Sequence, residues 1–232
     1  EVSEKAIYTM QEEGVDLIEL GVPFSDPAAD GPVIQRADER ALAQGVDIFK
    51  VFELVRKIRN NVEVPMVFLL YYNVMVQYGI EKFFKRCQET GVDGLIIPDL
   101  PYEESDEIKE YTEKYGVYQI SLVSPTSKDR IKNIAKDAKG FLYCISSLGV
   151  TGEKSSFVTN FDEFVGTIKK YTDVPACVGF GVSNGRQVKE LTKYFDGAIV
   201  GSAIVKSIAT GESVEERINN LRAKIKDLKS GL

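Results

Sequence analysis

The chain has 232 residues, 44% of them apolar and 28% charged, with a formal net charge of −6. That length suits one α/β barrel or one doubly wound sheet, and an acidic balance without basic blocks argues against nucleic acid or anionic membrane as the main partner. No apolar run approaches the ~18 residues of a membrane span, no signal peptide is visible, and histidine is absent, so any catalysis falls to Asp, Glu, Lys or Tyr.

In chain order, residues 2–14 read as a helix, with Ala6, Ile7 and Met10 at helical spacing and Gly14 as its stop. Val15–Leu20 is a mostly apolar strand that Gly21 and Pro23 end, and Pro27, Gly31 and Pro32 keep the following residues in turns. Ile34–Gln44 and Ile48–Asn60 read as helices, Val64–Tyr72 as a strand, and Gly79–Thr90 as a helix stopped by Gly91. Val92–Pro98 is a strand with Asp99 at its tip, Ser105–Tyr115 a helix closed by Gly116, and Val117–Ser124 a strand. Lys128–Ala138 is a helix, Phe141–Ser147 a strand, Asp162–Tyr171 a helix and Ala176–Gly179 a strand. Gly185–Tyr194 is a helix, Gly197–Val200 a strand, and Val214–Leu228 a closing helix with Ile218, Leu221, Ile225 and Leu228 on one stripe.

Short, mostly apolar strands alternating with helices are buried on both faces, which predicts a parallel sheet wrapped by helices. Even spacing without a linker predicts one domain over residues 1–232, and the number of units favours a (β/α)8 TIM barrel over a doubly wound sheet. Only seven strands are counted, so the expectation is a barrel whose first strand is missing from the N-terminus of the chain. Cys87, Cys144 and Cys177 are odd in number and widely spaced without CxxC, which points to reduced thiols and a cytoplasmic protein.

A barrel carries its chemistry at the C-terminal ends of its strands. Glu19 stands at the end of a run fit for burial, where an ionised carboxylate is costly without a partner or a task. Asp30 stands on the rigid loop that follows. Two acids so placed suit acid–base work on a bound substrate; a satisfied core glutamate and a carboxylate capping a helix fit the same spacing. Glycines end the last two strands, at Gly179–Gly181 and Gly201, and Gly201-Ser202 opens a short helix, Ala203–Ile208. Free amides there make a phosphate site, or simply tight turns. The polar stretch 146–156 reads as a mobile lid or as a surface loop.

Taken together, Glu19-Leu20-Gly21-Val22-Pro23-Phe24-Ser25-Asp26-Pro27-Ala28-Ala29-Asp30-Gly31-Pro32 resembles the signature of the tryptophan synthase alpha chain family. The resemblance continues through Tyr72-Asn73, Ile97-Pro98-Asp99-Leu100-Pro101, Gly149-Val150-Thr151-Gly152, Val178-Gly179-Phe180-Gly181-Val182-Ser183 and Val200-Gly201-Ser202, and so covers essentially the whole chain. Family members normally carry a further helix and strand ahead of the first helix found here.

The resemblance implies a lyase of tryptophan biosynthesis that cleaves indole-3-glycerol phosphate to indole and glyceraldehyde 3-phosphate without metal or organic cofactor. By position, Glu19 matches the proton-transferring acid/base, Asp30 the acceptor of the indole N–H, and Tyr143 a tyrosine near the substrate. Leu69, Tyr71, Ile96 and Phe180 match positions around the indole ring, and they serve equally well as barrel packing. Gly152, Gly181, Gly201 and Ser202 match the phosphate site, and Thr151 a lid residue that touches the Asp30 loop on closure. Asp26 and Pro27 match the surface presented to a pyridoxal-phosphate-dependent beta chain in an α2β2 tetramer. A stand-alone indole-releasing lyase, and a non-catalytic barrel that only activates a beta chain, are the other readings.

Overall fold

The structure is a computed structural model that describes residues 1–145, 160–179 and 181–232. It packs as two compact units, the first formed by Glu1–Gln119 with Val205–Arg222 and the second by Ile120–Ile204 with Ala223–Leu232.

The first unit contains, in order, α1 (Val2–Glu12), β1 (Ile18–Gly21), α2 (Pro32–Ala43), α3 (Ile48–Ile58), β2 (Met66–Leu69), α4 (Tyr72–Tyr78), α5 (Ile80–Thr90), β3 (Gly94–Ile96), α6 (Asp106–Tyr115) and β4 (Tyr118–Gln119). The strands form a four-stranded parallel sheet in the order β1-β2-β3-β4. Period-two alternation divides its residues. Ile18, Met66, Phe68 and Leu95 point into an apolar core against the helices, where α3 contributes the stripe Ile48, Val51, Phe52, Val55 and Ile58. Phe52 is the hub of that core, with ring centroids 5.3 Å from Phe68 and 5.4 Å from Phe83. Glu19, Val67, Leu69 and Ile96 alternate onto the opposite face.

The second unit repeats the plan with β5 (Ser121–Val123), α7 (Lys128–Asp137), β6 (Leu142–Ile145), α8 (Phe161–Ile168), β7 (Ala176–Gly179), α9 (Gly185–Leu191) and β8 (Gly197–Ala198). Its sheet is also parallel, in the order β5-β6-β7-β8. Phe161, Phe164, Val165 and Ile168 of α8 are buried, and Phe161 meets Phe195 edge-on at 5.3 Å. Helices α10 (Ser202–Ala209) and α11 (Val214–Lys229) complete the chain.

The seven predicted strands each form, and one of them forms as two. Val117–Ser124 is interrupted at Ile120, because Tyr118 and Gln119 pair with β3 whereas Ser121–Val123 pair with β6. Helix α4 falls where the sequence predicts only the end of a strand and a loop.

Both sheets begin with the same local device. A proline carbonyl ahead of one strand accepts the first ladder bond, from Ile18 N–H to Pro65 O at 3.0 Å and from Leu142 N–H to Pro175 O at 2.8 Å. An Asp-Gly pair then opens the next strand. Asp93 accepts from Met66 N–H at 2.8 Å and from Arg59 at 3.0 Å; Asp196 accepts from Ala176 N–H at 2.8 Å and from Lys169 at 2.6 Å. Burial alone pushes the Asp196 carboxyl up, but the bonds from Lys169 and Ala176 outweigh it and leave the group below the usual carboxylate value. Removing either acceptor strands a strand-edge N–H. Asp93→Ala and Asp196→Ala are each expected to cost about 1–3 kcal/mol, read as a lower urea midpoint at unchanged m-value. For Asp196, whose folded value is depressed, that contribution is present above the unfolded pKa and disappears as the pH falls through the folded one.

Candidate active site

Glu19 occupies the third-from-last position of β1 and sits on the sheet face turned away from the helices, with Val67 as its lateral partner and Leu69 and Ile96 further along the same face. Ile96 is fully buried and Val67 nearly so. Among the described residues, the buried Oε1 of Glu19 has no hydrogen-bond partner. Burial in apolar surroundings disfavours the charged form, so the Glu19 carboxyl is pushed up to about 7.

The loop after β1 is built from its own turns. Ala28 N–H donates to Asp26 O at 2.8 Å and Asp30 N–H to Pro27 O at 3.0 Å. Gly31 then caps α2 with Pro32 in the first turn, where a missing N–H costs nothing. Tyr71, just past the end of β2, staples this loop. Its hydroxyl donates to Asp30 Oδ2 at 2.8 Å and accepts from Ala29 N–H at 2.9 Å, while its ring stacks on Phe24 at 5.0 Å. Burial raises the Asp30 carboxyl and the tyrosine bond partly offsets that rise. Asp38, eight residues on along α2, is pushed up to about 6 by burial and then by the charge of Asp30.

Of the predicted residues in the first unit, Glu19, Leu69 and Ile96 share one face of the sheet, and Tyr71 stands past the end of β2 with its hydroxyl on the Asp30 loop. The tyrosine brings a function that the sequence did not suggest, since its hydroxyl is committed to Asp30 rather than left to line a wall. Asp26 is exposed and Pro27 partly so; both border a surface groove of about 390 Å³ together with Phe24, Gln35 and Leu42. Asp38 and Phe24 were not singled out by sequence. Asp38 lies on α2 while Asp30 lies on the loop before it, so no periodicity in the sequence links the two.

In the second unit Tyr143 of β6 lies beside Cys177, and its ring covers Gly179, where an added Cβ would come within 2.5 Å of it. Gly179 is thus a position where only glycine fits under the tyrosine. Gly181 follows with φ +73° and is exposed, in the left-handed region that glycine tolerates. Gly201 and Ser202 are exposed, Ser202 opens α10, and a Cβ on Gly201 would meet nothing within 4 Å. Thr151, Gly152 and Phe180 lie outside the described residues.

The model of the family described as "Tryptophan synthase alpha chain" matches residues 1–232. The chain belongs to the tryptophan synthase alpha chain family. It is 47% identical over 227 residues to the tryptophan synthase alpha chain of Alkaliphilus metalliredigens, covering 97% of this chain and 85% of the relative. It is 48% identical over 210 residues to that of Methanocaldococcus jannaschii, covering 90% and 74%. Among solved structures, one of tryptophan synthase from M. tuberculosis in its aminoacrylate-bound form superposes with a TM-score of 0.86 at 33% identity, over 99% of this chain and 86% of that one. Tryptophan synthase subunit alpha from Campylobacter jejuni superposes with a TM-score of 0.84 at 39% identity, over 97% and 89%. The fold is the α/β barrel of the tryptophan synthase alpha chains. The activity is their lyase half-reaction in tryptophan biosynthesis, cleavage of indole-3-glycerol phosphate to indole. No helix among the described residues is long and apolar enough to cross a membrane.

A buried acid with a raised pKa has a stability signature. Below the unfolded value of 4.5 both states hold the proton and Glu19 is neutral toward folding. As the pH climbs from 4.5 to about 7 the unfolded chain ionises first, so stability falls, and it levels off once the folded group ionises too. Glu19→Gln is therefore expected to be more stable than the parent at pH 8, by about 3 kcal/mol at most, and to converge on it below pH 4.5. Paired urea titrations at the two pH values measure this.

Proposed function

We propose that Glu19 is the single acid/base of the lyase reaction and that Asp30 holds and polarises the indole ring. Cleavage needs an electron sink. Protonated Glu19 gives its proton to indole C3, and the C2=C3 electrons leave a cation shared between C2 and N1. Asp30 accepts the N1–H bond and stabilises that cation. The Glu19 carboxylate then takes the proton of the C3′ hydroxyl, the aldehyde C=O forms, and the C3–C3′ bond electrons return to the ring. One proton leaves Glu19 and one comes back, so indole and glyceraldehyde 3-phosphate are released with the enzyme unchanged.

The observation that carries this reading is the Glu19 carboxyl, raised to about 7 by burial alone, which lets one group both donate and accept near neutral pH. Support for Asp30 comes from its fixed orientation: with Oδ2 tied to Tyr71, the carboxylate presents its other oxygen in one direction. Leu69 and Ile96 supply apolar wall on the Glu19 face, and Tyr143 sits over Gly179 as a further candidate wall. The exposed glycine turns at Gly181 and Gly201, with the start of α10, suit a phosphate that is held by amides. In this reading residues 1–232 act as one cytoplasmic domain. Asp26 and Pro27, on the rim of their groove, face a beta chain in an α2β2 assembly.

Glu19→Gln keeps the shape and removes the proton donor. A loss of kcat of at least ~10³-fold with KM for indole-3-glycerol phosphate within about threefold of the parent is expected, and appreciable turnover by that variant would refute the assignment. Tyr71→Phe leaves Asp30 without its hydroxyl donor and should lower kcat by roughly 10–100-fold. Adding a beta chain should raise the lyase rate of the parent; an unchanged rate would argue against docking through the Asp26–Pro27 surface.

A further inference from the structure

Resting on the phosphate reading above, we propose that Lys224 is a positioning residue for the turn after β7, holding the Gly181 amide where the substrate phosphate is met. The turn is anchored by three sets of bonds. Ser183 N–H and its hydroxyl both donate to Gln187 Oε1, at 2.8 and 3.0 Å, and Asn184 Oδ1 accepts from Gln187 N–H at 3.1 Å, a reciprocal cap on α9. Those bonds use the donors of Ser183 and leave its carbonyl. Lys224 of α11 takes it, with Nζ donating to Ser183 O at 3.1 Å and to Asp227 Oδ2 at 3.0 Å. Val182, between this anchor and Gly181, is buried at 5% exposure. The two residues after Gly181 are thereby fixed, Val182 by burial of its side chain and Ser183 through its amide, hydroxyl and carbonyl.

A second observation shows that α11 is built to reach this place. A Cβ on Gly185 would lie 2.3 Å from Asp227 O, and one on Gly231 would lie 2.0 Å from Gly185 O. Glycine at both positions lets the end of α11 lie directly against the start of α9, backbone on backbone. Lys224 is one helical turn before Asp227, so its ammonium is delivered to the Ser183 carbonyl by that close approach. A lysine serving only as a surface ion pair would need Asp227 alone. Here the same ammonium bridges the helix to the turn.

The test titrates the parent, Lys224→Met, Lys224→Arg and Gly201→Leu with glycerol 3-phosphate by calorimetry, and follows KM and kcat for indole-3-glycerol phosphate alongside thermal midpoints. Gly201→Leu has open space for its side chain and serves as the block on the phosphate site itself. Lys224→Met is expected to weaken glycerol 3-phosphate about fivefold and to raise KM similarly, with kcat falling less than KM rises. Lys224→Arg, which keeps a donor, should recover most of that affinity; Lys224→Gln gives the same readout if the methionine variant folds poorly. Parent-like affinity in Lys224→Met while Gly201→Leu loses binding would overturn the positioning role and leave the phosphate reading standing. No binding by the parent, or full binding by Gly201→Leu, would overturn the phosphate reading and this inference with it.

Discussion

The proposed site depends on a carboxylate oxygen that the fold buries and that has no hydrogen-bond partner among the described residues. β1 places Glu19 on the sheet face opposite the helices, among Val67, Leu69 and Ile96, where nothing described donates to Oε1. Such a group is unfavourable to folding once it ionises, and the same burial holds its proton to about pH 7. A solvated glutamate would be an anion at neutral pH, able to accept a proton and unable to give one. The instability and the proposed acid/base role are therefore two consequences of one placement, and in that proposal a stabilising change at this position would remove the chemistry.

Asp30 is handled in the opposite manner. It sits on a proline-rich loop that has no sheet to hold it, and its position comes from hydrogen bonds: its own N–H to Pro27 O, its backbone carbonyl to Gln35, its Oδ2 to Tyr71. Tyr71 in turn is fixed because α4 begins at the next residue, where Asp99 accepts Tyr72 N–H with both oxygens at 2.9 and 3.1 Å. The loop acid is thus referred back, through two strand ends, to the rigid sheet. Asp38 adds a second negative group on α2 that opposes ionisation of the pair at once. Burial raises both proposed acids; they differ in that Asp30 also holds a hydroxyl bond that partly offsets the rise and fixes its orientation.

How much of this was legible in the sequence follows from the range of each interaction. The strands read correctly because each apolar run carries its own signal. Glu19 read as a candidate because a charge inside such a run contradicts its surroundings. The break at Ile120 did not read, since it reflects a change of pairing partner from β3 to β6, and pairing is decided by distant residues. Helix α4 did not read either. Its first amide is capped by Asp99, 27 residues away, so the local sequence offers no N-cap, and Tyr71-Tyr72 simply extends the apolar run before it. Tyr71 was legible as an aromatic near a ring and illegible as a hydroxyl, because a tyrosine's polar tip finds its partner only in three dimensions.

The two sheets divide labour along their own strands. At their N-terminal ends both use one pattern, Val-Pro before a strand and Asp-Gly opening the next, with a basic side chain from the preceding helix region on the aspartate. That pattern satisfies strand-edge amides and carries no chemistry. Toward their C-terminal ends the sheets diverge: the first leads into Tyr71 and the proline-fixed Asp30, the second into glycines at 179, 181 and 201. A buried carboxylate in β1 and the exposed, left-handed Gly181 after β7 are tolerable where the neighbouring strands are already secured, and in the first sheet the anchor is close at hand: Glu19 pairs with Val67 and Val67 with Gly94, the residue after Asp93.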